Sequence, residues 1–429
     1  MVGRPTSTAP EGGSCLIVTG LPLDNLGVSR HGIYQRFRML MESAADTGLA
    51  LELVCEEGGL VKAGSPDACA RLEAGVLQHW GLVCRVMSIA RRVEDSRTPY
   101  LLQQLAGCVS HDWSPAHRAA REGGQVAQLN ELIAPRHRLL LVHRLGSMAV
   151  LLDCLSTLPC VFDMDDVEHV VHMRRMDLGG SLRERLVARA ALPALKRLER
   201  AAVRRAALTL VCAADDAKLI QDLAGVAGTR VAVVPNGVTV VEPRSPDRSA
   251  PPVLLMVGIY SYEPNSEGAR FFIEQVWPII RRAVPTAEVW FVGASPQAIC
   301  DADNLPDGVK LLGFVDDIEA AYAAARAVIC PILTGGGTRV KLIEAAVREK
   351  AIVSTTVGAE GLAFVDGCHA LLRDDAEGFA HACVQLLTAT EVNRRLGQAV
   401  RKFAADRYDR SVIRQGLTQR LRAVMSAGT

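Results

Sequence analysis

The chain reads as an α/β protein built from two parallel-sheet domains, and three observations predict it. Short apolar runs alternate with stretches of helical periodicity along the whole sequence, the pattern of repeated βαβ units. A proline-rich break, Glu242-Pro243-Arg244-Ser245-Pro246-Asp247-Arg248-Ser249-Ala250-Pro251-Pro252, divides that alternation into two series. The length of 429 residues exceeds one ordinary core and suits two domains of about 200 residues each.

Residues 1–14 are rich in Pro, Ser, Thr and Gly without the apolar stretch of a secretory signal, and they read as a disordered tail. The first series, residues 15–240, places strands at Cys15–Thr19, Leu49–Cys55, Val83–Ile89, Leu139–His143, Cys160–Met164, Leu208–Cys212 and Val231–Val234. Each is a short, largely apolar run, interrupted only at Glu52, Arg85, Ser88, Asp163, Thr209 and the terminal Thr19 and His143, as strands covered on both faces favour. A helix is expected over Ile33–Ala45, where Ile33, Phe37, Leu40 and Met41 share one face. Residues 241–252 form the linker. The second series, residues 253–408, places strands at Val253–Val257, Glu288–Val292, Val309–Leu312, Val328–Ile332, Ala351–Ser354 and Ala370–Leu372. Residues 409–429 read as a C-terminal helix free to cross back to the N-terminal domain. Sheets of this kind bind ligands beyond the carboxyl ends of their strands, so the expected site is a cleft between the two domains.

Composition narrows the classes. An apolar content of 49% with 4% aromatics describes a well-packed α/β protein, and a net charge of +1 excludes a global pull toward nucleic acid. The twelve cysteines show no C-x-x-C spacing and no nearby His cluster. They are expected to be small buried hydrophobes in a reducing cytosol. No window is long and apolar enough to span a bilayer, so the expected location is cytoplasmic.

The run Gly335-Gly336-Gly337-Thr338-Arg339-Val340-Lys341-Leu342-Ile343-Glu344 carries the most chemistry. Glycines let the backbone approach a ligand closely, and a helix opening near Thr338 would aim unpaired N–H groups at it. Arg339 supplies a cationic fork and Lys341 a point charge, both suited to phosphate oxygens, while Glu344 suits ribose hydroxyls. The strand Ala351–Ser354 leads to a second turn, Gly358-Ala359-Glu360-Gly361-Leu362, beside the same expected site. The plain alternative is a capped surface helix with Lys341 and Glu344 paired at i,i+3.

From Val253 to about Tyr408 the chain resembles the donor-binding domain of family 4 retaining glycosyltransferases, of the group 1 type, with the GT-B fold. The blocks that carry the resemblance are Met256-Val257-Gly258 with Pro264-Asn265, Pro285 to Gly293, Leu312-Gly313-Phe314-Val315-Asp316-Asp317, Gly335 to Glu344, Gly358 to Leu362, and Arg407-Tyr408-Asp409. In the first half only Val234-Pro235-Asn236-Gly237-Val238 and Asp163 to Glu168 are similar. The resemblance implies two Rossmann-like domains facing across a cleft and transfer of a sugar from a nucleotide diphosphate donor with retained configuration. It places Arg339 and Lys341 on the donor diphosphate, Glu344 on the ribose, and Glu360 against the transferred sugar. Gly258, Asn265, Gly336, Gly337, Thr338, Gly358, Gly361 and Leu362 complete the expected donor pocket, with Gly27 of the turn after the first strand. No metal and no cofactor beyond the nucleotide-sugar substrate is then expected.

Two departures stand out. Relatives commonly carry two glutamates with seven residues between them; here Glu344 matches the second and Gly336 stands where the first would be. The Arg and Lys that commonly follow the first strand of this domain are replaced by Ile259-Tyr260-Ser261-Tyr262-Glu263-Pro264-Asn265. In the first half, Asp163-Met164-Asp165-Asp166-Val167-Glu168-His169 ends a strand. Asp163 stands where relatives often carry a histidine near the reacting sugar. Asp163, Asp165 or Glu168 is expected to orient hydroxyls or accept the acceptor proton, the alternative being an acidic helix N-terminus. An Asp-x-Asp metal site, as in the other glycosyltransferase fold, is set aside because the phosphates are expected on the other domain. His143 and Arg30 are further acceptor-side candidates. Arg183, Arg185, Arg189, Lys196, Arg197, Arg200, Arg204 and Arg205 lie on one amphipathic helix, read either as a solvated cover of the sheet or as a contact with anionic lipid. The expected reaction is glycosyl transfer to a glycan or lipid-linked acceptor in cell-envelope or exopolysaccharide assembly. Alternatives are a nucleotide-sugar 2-epimerase of the same fold and a non-catalytic nucleotide-sugar or glycan-binding module.

Overall fold

The computed structural model describes residues 13–23, 26, 32–56, 66–89, 124–177, 182–244, 250–300 and 305–427, without the side chains of 175–177 and 182–188. Residues 1–12 of the expected N-terminal tail, Gly27, Arg30 and the side chains of Arg183 and Arg185 lie outside the described residues, while Ser14, expected in that tail, opens the first strand. The chain divides into two compact units, Met1–Pro235 with Val412–Thr429, and Asn236–Ser411.

The first unit runs β1 (Ser14–Thr19), α1 (Gly32–Ala45), β2 (Ala50–Glu56), α2 (Pro66–Trp80), β3 (Cys84–Ile89), α3 (Gln125–Leu132), β4 (His137–His143), α4 (Leu145–Leu151), β5 (Cys160–Asp165), α5 (Glu168–Asp177), α6 (Leu182–Arg205), β6 (Leu208–Val211), α7 (Ala214–Ala224) and β7 (Val231–Val233). Its strands are parallel in the order β3-β2-β1-β4-β5-β6-β7. Helices cover both faces, giving one core around Phe37, Leu53 and Leu141 and another around Val142, Phe162 and Val203. This burial on both sides is why its central strands read as largely apolar, while the edge strand β3 carries an exposed Arg85.

The second unit runs β8 (Val253–Val257), α8 (Glu263–Phe271), a single wide turn at Phe272–Val276, α9 (Trp277–Ala283), β9 (Glu288–Val292), β10 (Val309–Gly313), α10 (Ile318–Ala324), β11 (Ala325–Cys330), α11 (Val340–Val347), β12 (Ala351–Ser354), β13 (Leu371–Leu372), α12 (Ala376–Thr388) and α13 (Thr390–Tyr408). The wide turn precedes Pro278, which has no N–H to continue a regular ladder. The strand order is β10-β9-β8-β11-β12-β13, again all parallel. Both orders reverse direction after their first strand, the Rossmann-like switch, at β1/β4 in one unit and β8/β11 in the other.

Most strands lie within two residues of their sequence expectation, and β11 departs furthest. β11 spans Ala325–Cys330 rather than Val328–Ile332, because Pro331 has no N–H for the ladder and ends the strand. The last helix, α14 (Arg410–Ala427), sends Leu417 and Leu421 into the core of the first unit. The basic helix α6 also has a structural task. Arg200 and Arg204 donate to the carbonyls of Leu223 and Ala224 at 2.8 Å each, satisfying the C-terminal end of α7, and Arg205 donates to the Ser156 carbonyl at 2.6 Å. Among the described residues no helix is long and apolar enough to cross a membrane.

Candidate active site

In the second unit the chain leaves β8 at Gly258 and β11 at Pro331, the two strands flanking the switch point. Backbones meet closely there. A Cβ on Gly258 would lie 3.1 Å from Nδ2 of Asn265 and 3.3 Å from Nζ of Lys341. Lys341 Nζ donates to Asn265 Oδ1 at 2.7 Å, and Asn265 Nδ2 donates to the Ile259 carbonyl at 2.8 Å. The loop thus holds the ammonium of α11 against the glycine that ends β8. Burial pushes that ammonium down to about 8, and the nearby Arg339 charge adds to the drop.

The glycine loop is closed by its own arginine. Arg339 is buried, donating to the carbonyls of Gly336 and Gly337 and, at 3.3 Å, to that of Thr334. Its Nε has no hydrogen-bond partner among the described residues. Gly335 and Gly337 take the left-handed backbone, φ +98° and +74°, which lets the loop fold around the guanidinium. Thr338 Oγ1 accepts from Asn236 Nδ2 at 2.7 Å.

One turn along α11, Glu344 Oε2 accepts a hydrogen bond from the Tyr322 hydroxyl at 3.3 Å. Burial holds the Glu344 carboxyl above the usual range against the pull of Arg348 and that hydroxyl. The second turn packs tightly. The Gly358 N–H donates to Thr355 Oγ1 at 2.8 Å, and a Cβ there would meet Ser354 Oγ at 2.5 Å and the Cys330 carbonyl at 2.7 Å. Glu360 is half-buried and Gly361 is left-handed at φ +74°. The side chain of Leu362 belongs to the core, its carbonyl accepting from Tyr408.

The first unit gathers a second set. Asp163 is fully buried at the end of β5, with Arg36 Nε 3.0 Å from each carboxylate oxygen and His143 Nδ1 2.9 Å from Oδ2. Burial raises this carboxyl, but Arg36 and His143 outweigh it and hold it below the ordinary value. Arg36 also donates to the Val234 carbonyl at 2.8 Å. Asp165 lies 3.7 Å from Arg36 and 4.0 Å from Arg144, and both Asp165 (φ +58°) and Arg144 (φ +71°) take backbone conformations that side chains rarely adopt. Glu168 opens α5. Arg36 is the member sequence reading missed. Its signal was an arginine inside the apolar stripe of the first helix, where it is only 1% exposed. Among the described residues no three His, Cys, Asp or Glu side chains gather to hold a metal ion.

Two Rossmann-like units with these strand orders define the GT-B class of fold. Residues 251–389 match the family described as glycosyl transferases group 1. Solved structures similar over nearly the whole chain include sucrose-phosphate synthase from Thermosynechococcus elongatus, 16% identical with a TM-score of 0.66, covering 97% of this chain and 100% of that one. HepE of Anabaena, in complex with UDP and glucose, is 15% identical with a TM-score of 0.63, covering 96% and 100%. TarM is 10% identical with a TM-score of 0.63, covering 95% and 98%, and a further structure gives it as an S. aureus protein. No curated protein sequence matches the chain.

Proposed function

We propose that this protein is a glycosyltransferase that moves a sugar from a nucleotide diphosphate donor to a hydroxyl of a glycan or lipid-linked acceptor, with retained configuration. The observation that carries this reading is the Gly258–Asn265–Lys341 arrangement at the switch point of a unit matching the group 1 glycosyl transferases. A half-buried ammonium beside the Gly258 corner meets a diphosphate with little reorganisation, and it offsets the charge that grows on the leaving group. Arg339 shapes the loop and adds its charge, and Glu344 receives the ribose hydroxyls. Solved HepE structures that hold UDP or UDP-glucose favour a uridine donor. Asp165 and Glu360 are proposed to face the substrates. Asp163, 0% exposed, would act through Arg36 and His143 rather than by touching a sugar. A cytoplasmic, metal-independent reaction in envelope or exopolysaccharide assembly is proposed with it.

The test is calorimetric titration of UDP, GDP, ADP, CDP and TDP into wild type and the Lys341→Ala and Arg339→Ala variants without metal. One nucleotide is expected to bind and to be lost in Lys341→Ala. Binding indifferent to both changes would refute the site. Product analysis then discriminates the reaction: transfer consumes donor only with acceptor, epimerisation alters donor alone, and a binding module alters neither.

A further inference from the structure

We infer that Tyr322 is a positioning residue of this site, its hydroxyl holding Glu344 Oε2 so that the other carboxylate oxygen is turned to the ribose diol of a nucleoside diphosphate. This rests on the reading that Glu344 meets the ribose. The phenol is 1% exposed and is fixed from several sides. Its helix, α10, is capped by Asp317, which accepts from the N–H groups of Glu319 at 3.0 Å and Ala320 at 3.1 Å. The Arg348 guanidinium lies over its ring, Cζ 4.5 Å from the centroid. Arg348 is itself held, donating through Nε to the Glu319 carboxylate at 2.9 and 3.2 Å and through Nη1 to the Glu344 carbonyl at 2.9 Å.

The phenol therefore has no freedom to swing away, and its O–H is a fixed donor toward a carboxylate that burial already strains. The groups facing Glu344 are Lys341 and Arg348 on its own helix and Tyr322 and Glu319 on α10. Of these, Lys341, Arg348 and the hydroxyl favour the carboxylate and Glu319 opposes it. Deleting the hydroxyl costs one of the favourable contacts and frees the side chain to rotate.

The separation of 3.3 Å is longer than most O–H···O bonds, so the effect is a few-fold rather than a collapse. UDP, GDP and ADP, each with its 2′,3′-dideoxy counterpart, are titrated into wild type, Tyr322→Phe, Glu344→Gln and the double variant over a range of pH. Tyr322→Phe keeps the ring and its stack on Arg348, and melting curves confirm that it folds. It is expected to weaken the preferred ribonucleotide about five-fold, to leave the dideoxy compound unchanged, and to move the acid limb of binding to higher pH. Added to Glu344→Gln it should change nothing. Equal weakening of both nucleotides, or an additive loss in the double variant, overturns the positioning role. If Glu344→Gln fails to discriminate ribose from dideoxyribose, or no nucleotide binds, the ribose reading falls and the inference with it. If it discriminates while Tyr322→Phe equals wild type, only the inference falls.

Discussion

Arg36 and Asp163 form an ion pair with both side chains at 0% exposure, and such a pair behaves differently when one member is removed than when both are. Arg36→Met leaves a buried carboxylate without its cation, at a cost of about 3–5 kcal/mol. Urea unfolding should show that loss, and adding Asp163→Asn should recover most of it. The sign with pH follows from the carboxyl lying below its ordinary value. The stability it contributes is present above the unfolded carboxyl range and is lost as pH falls through the folded value. Wild type should therefore weaken in acid more steeply than the double variant. Lys341 gives the opposite direction on the ligand side. Burial pushes its ammonium down to about 8, and a diphosphate seated beside it would raise that value. UDP affinity should hold below that pH and fall above it, by up to about tenfold per pH unit, with uptake of one proton. Lys341→Arg should flatten the profile, since a guanidinium stays charged. A flat wild-type profile would argue against Lys341 as the phosphate cation.

The element that would make the proposed donor site is α11 with its two approaches, the glycine loop before it and the Gly258 corner beside it. Gly258→Ala is the sharpest test of that corner, because the new Cβ would press on Asn265 at 3.1 Å and Lys341 at 3.3 Å. Overpacking of this kind costs about 1–3 kcal/mol, and it should cost more in nucleotide affinity than in melting temperature because it dislodges the ammonium itself. Asp317→Ala should lower stability by about 1 kcal/mol through the lost cap of α10. These elements differ in how far the sequence disclosed them. The glycine block, the helix after it and the cationic pair were legible because they are contiguous, and the strands because parallel sheets need apolar runs. The end of β11 was misplaced by two residues although Pro331 marked it. Arg36 was hidden because its partner lies 127 residues away, and Tyr322 because its aromatic ring reads as core while its hydroxyl serves a residue 22 positions on. The basic helix α6 looked like a solvated or lipid-facing stripe, since nothing in spacing reveals that Arg200, Arg204 and Arg205 bond to backbone carbonyls of other segments.

For the molecule as a whole, the unit nearest the N-terminus is finished by the last residues of the chain. Leu417 and Leu421 are buried in the same core as Phe37 and Leu53, and Arg414 donates to both oxygens of Asp46 at 2.6 Å. The second unit, Asn236–Ser411, closes before this segment begins, with Tyr408 bonded to the Leu362 carbonyl at 2.8 Å. Truncation before Val412 therefore removes two core leucines from one unit and none from the other. Their burial is worth about 3–6 kcal/mol in total, enough to consume much of the stability of an ordinary domain. Scanning calorimetry of wild type should resolve contributions from both units. UDP should raise the transition of the second, because a ligand stabilises the folded unit that holds it. In the truncated chain the first transition should fall or vanish while the UDP-dependent rise of the second persists. Disappearance of that rise on truncation would mean that nucleotide binding draws on more than the Lys341 site, and would refute its assignment to the second unit alone.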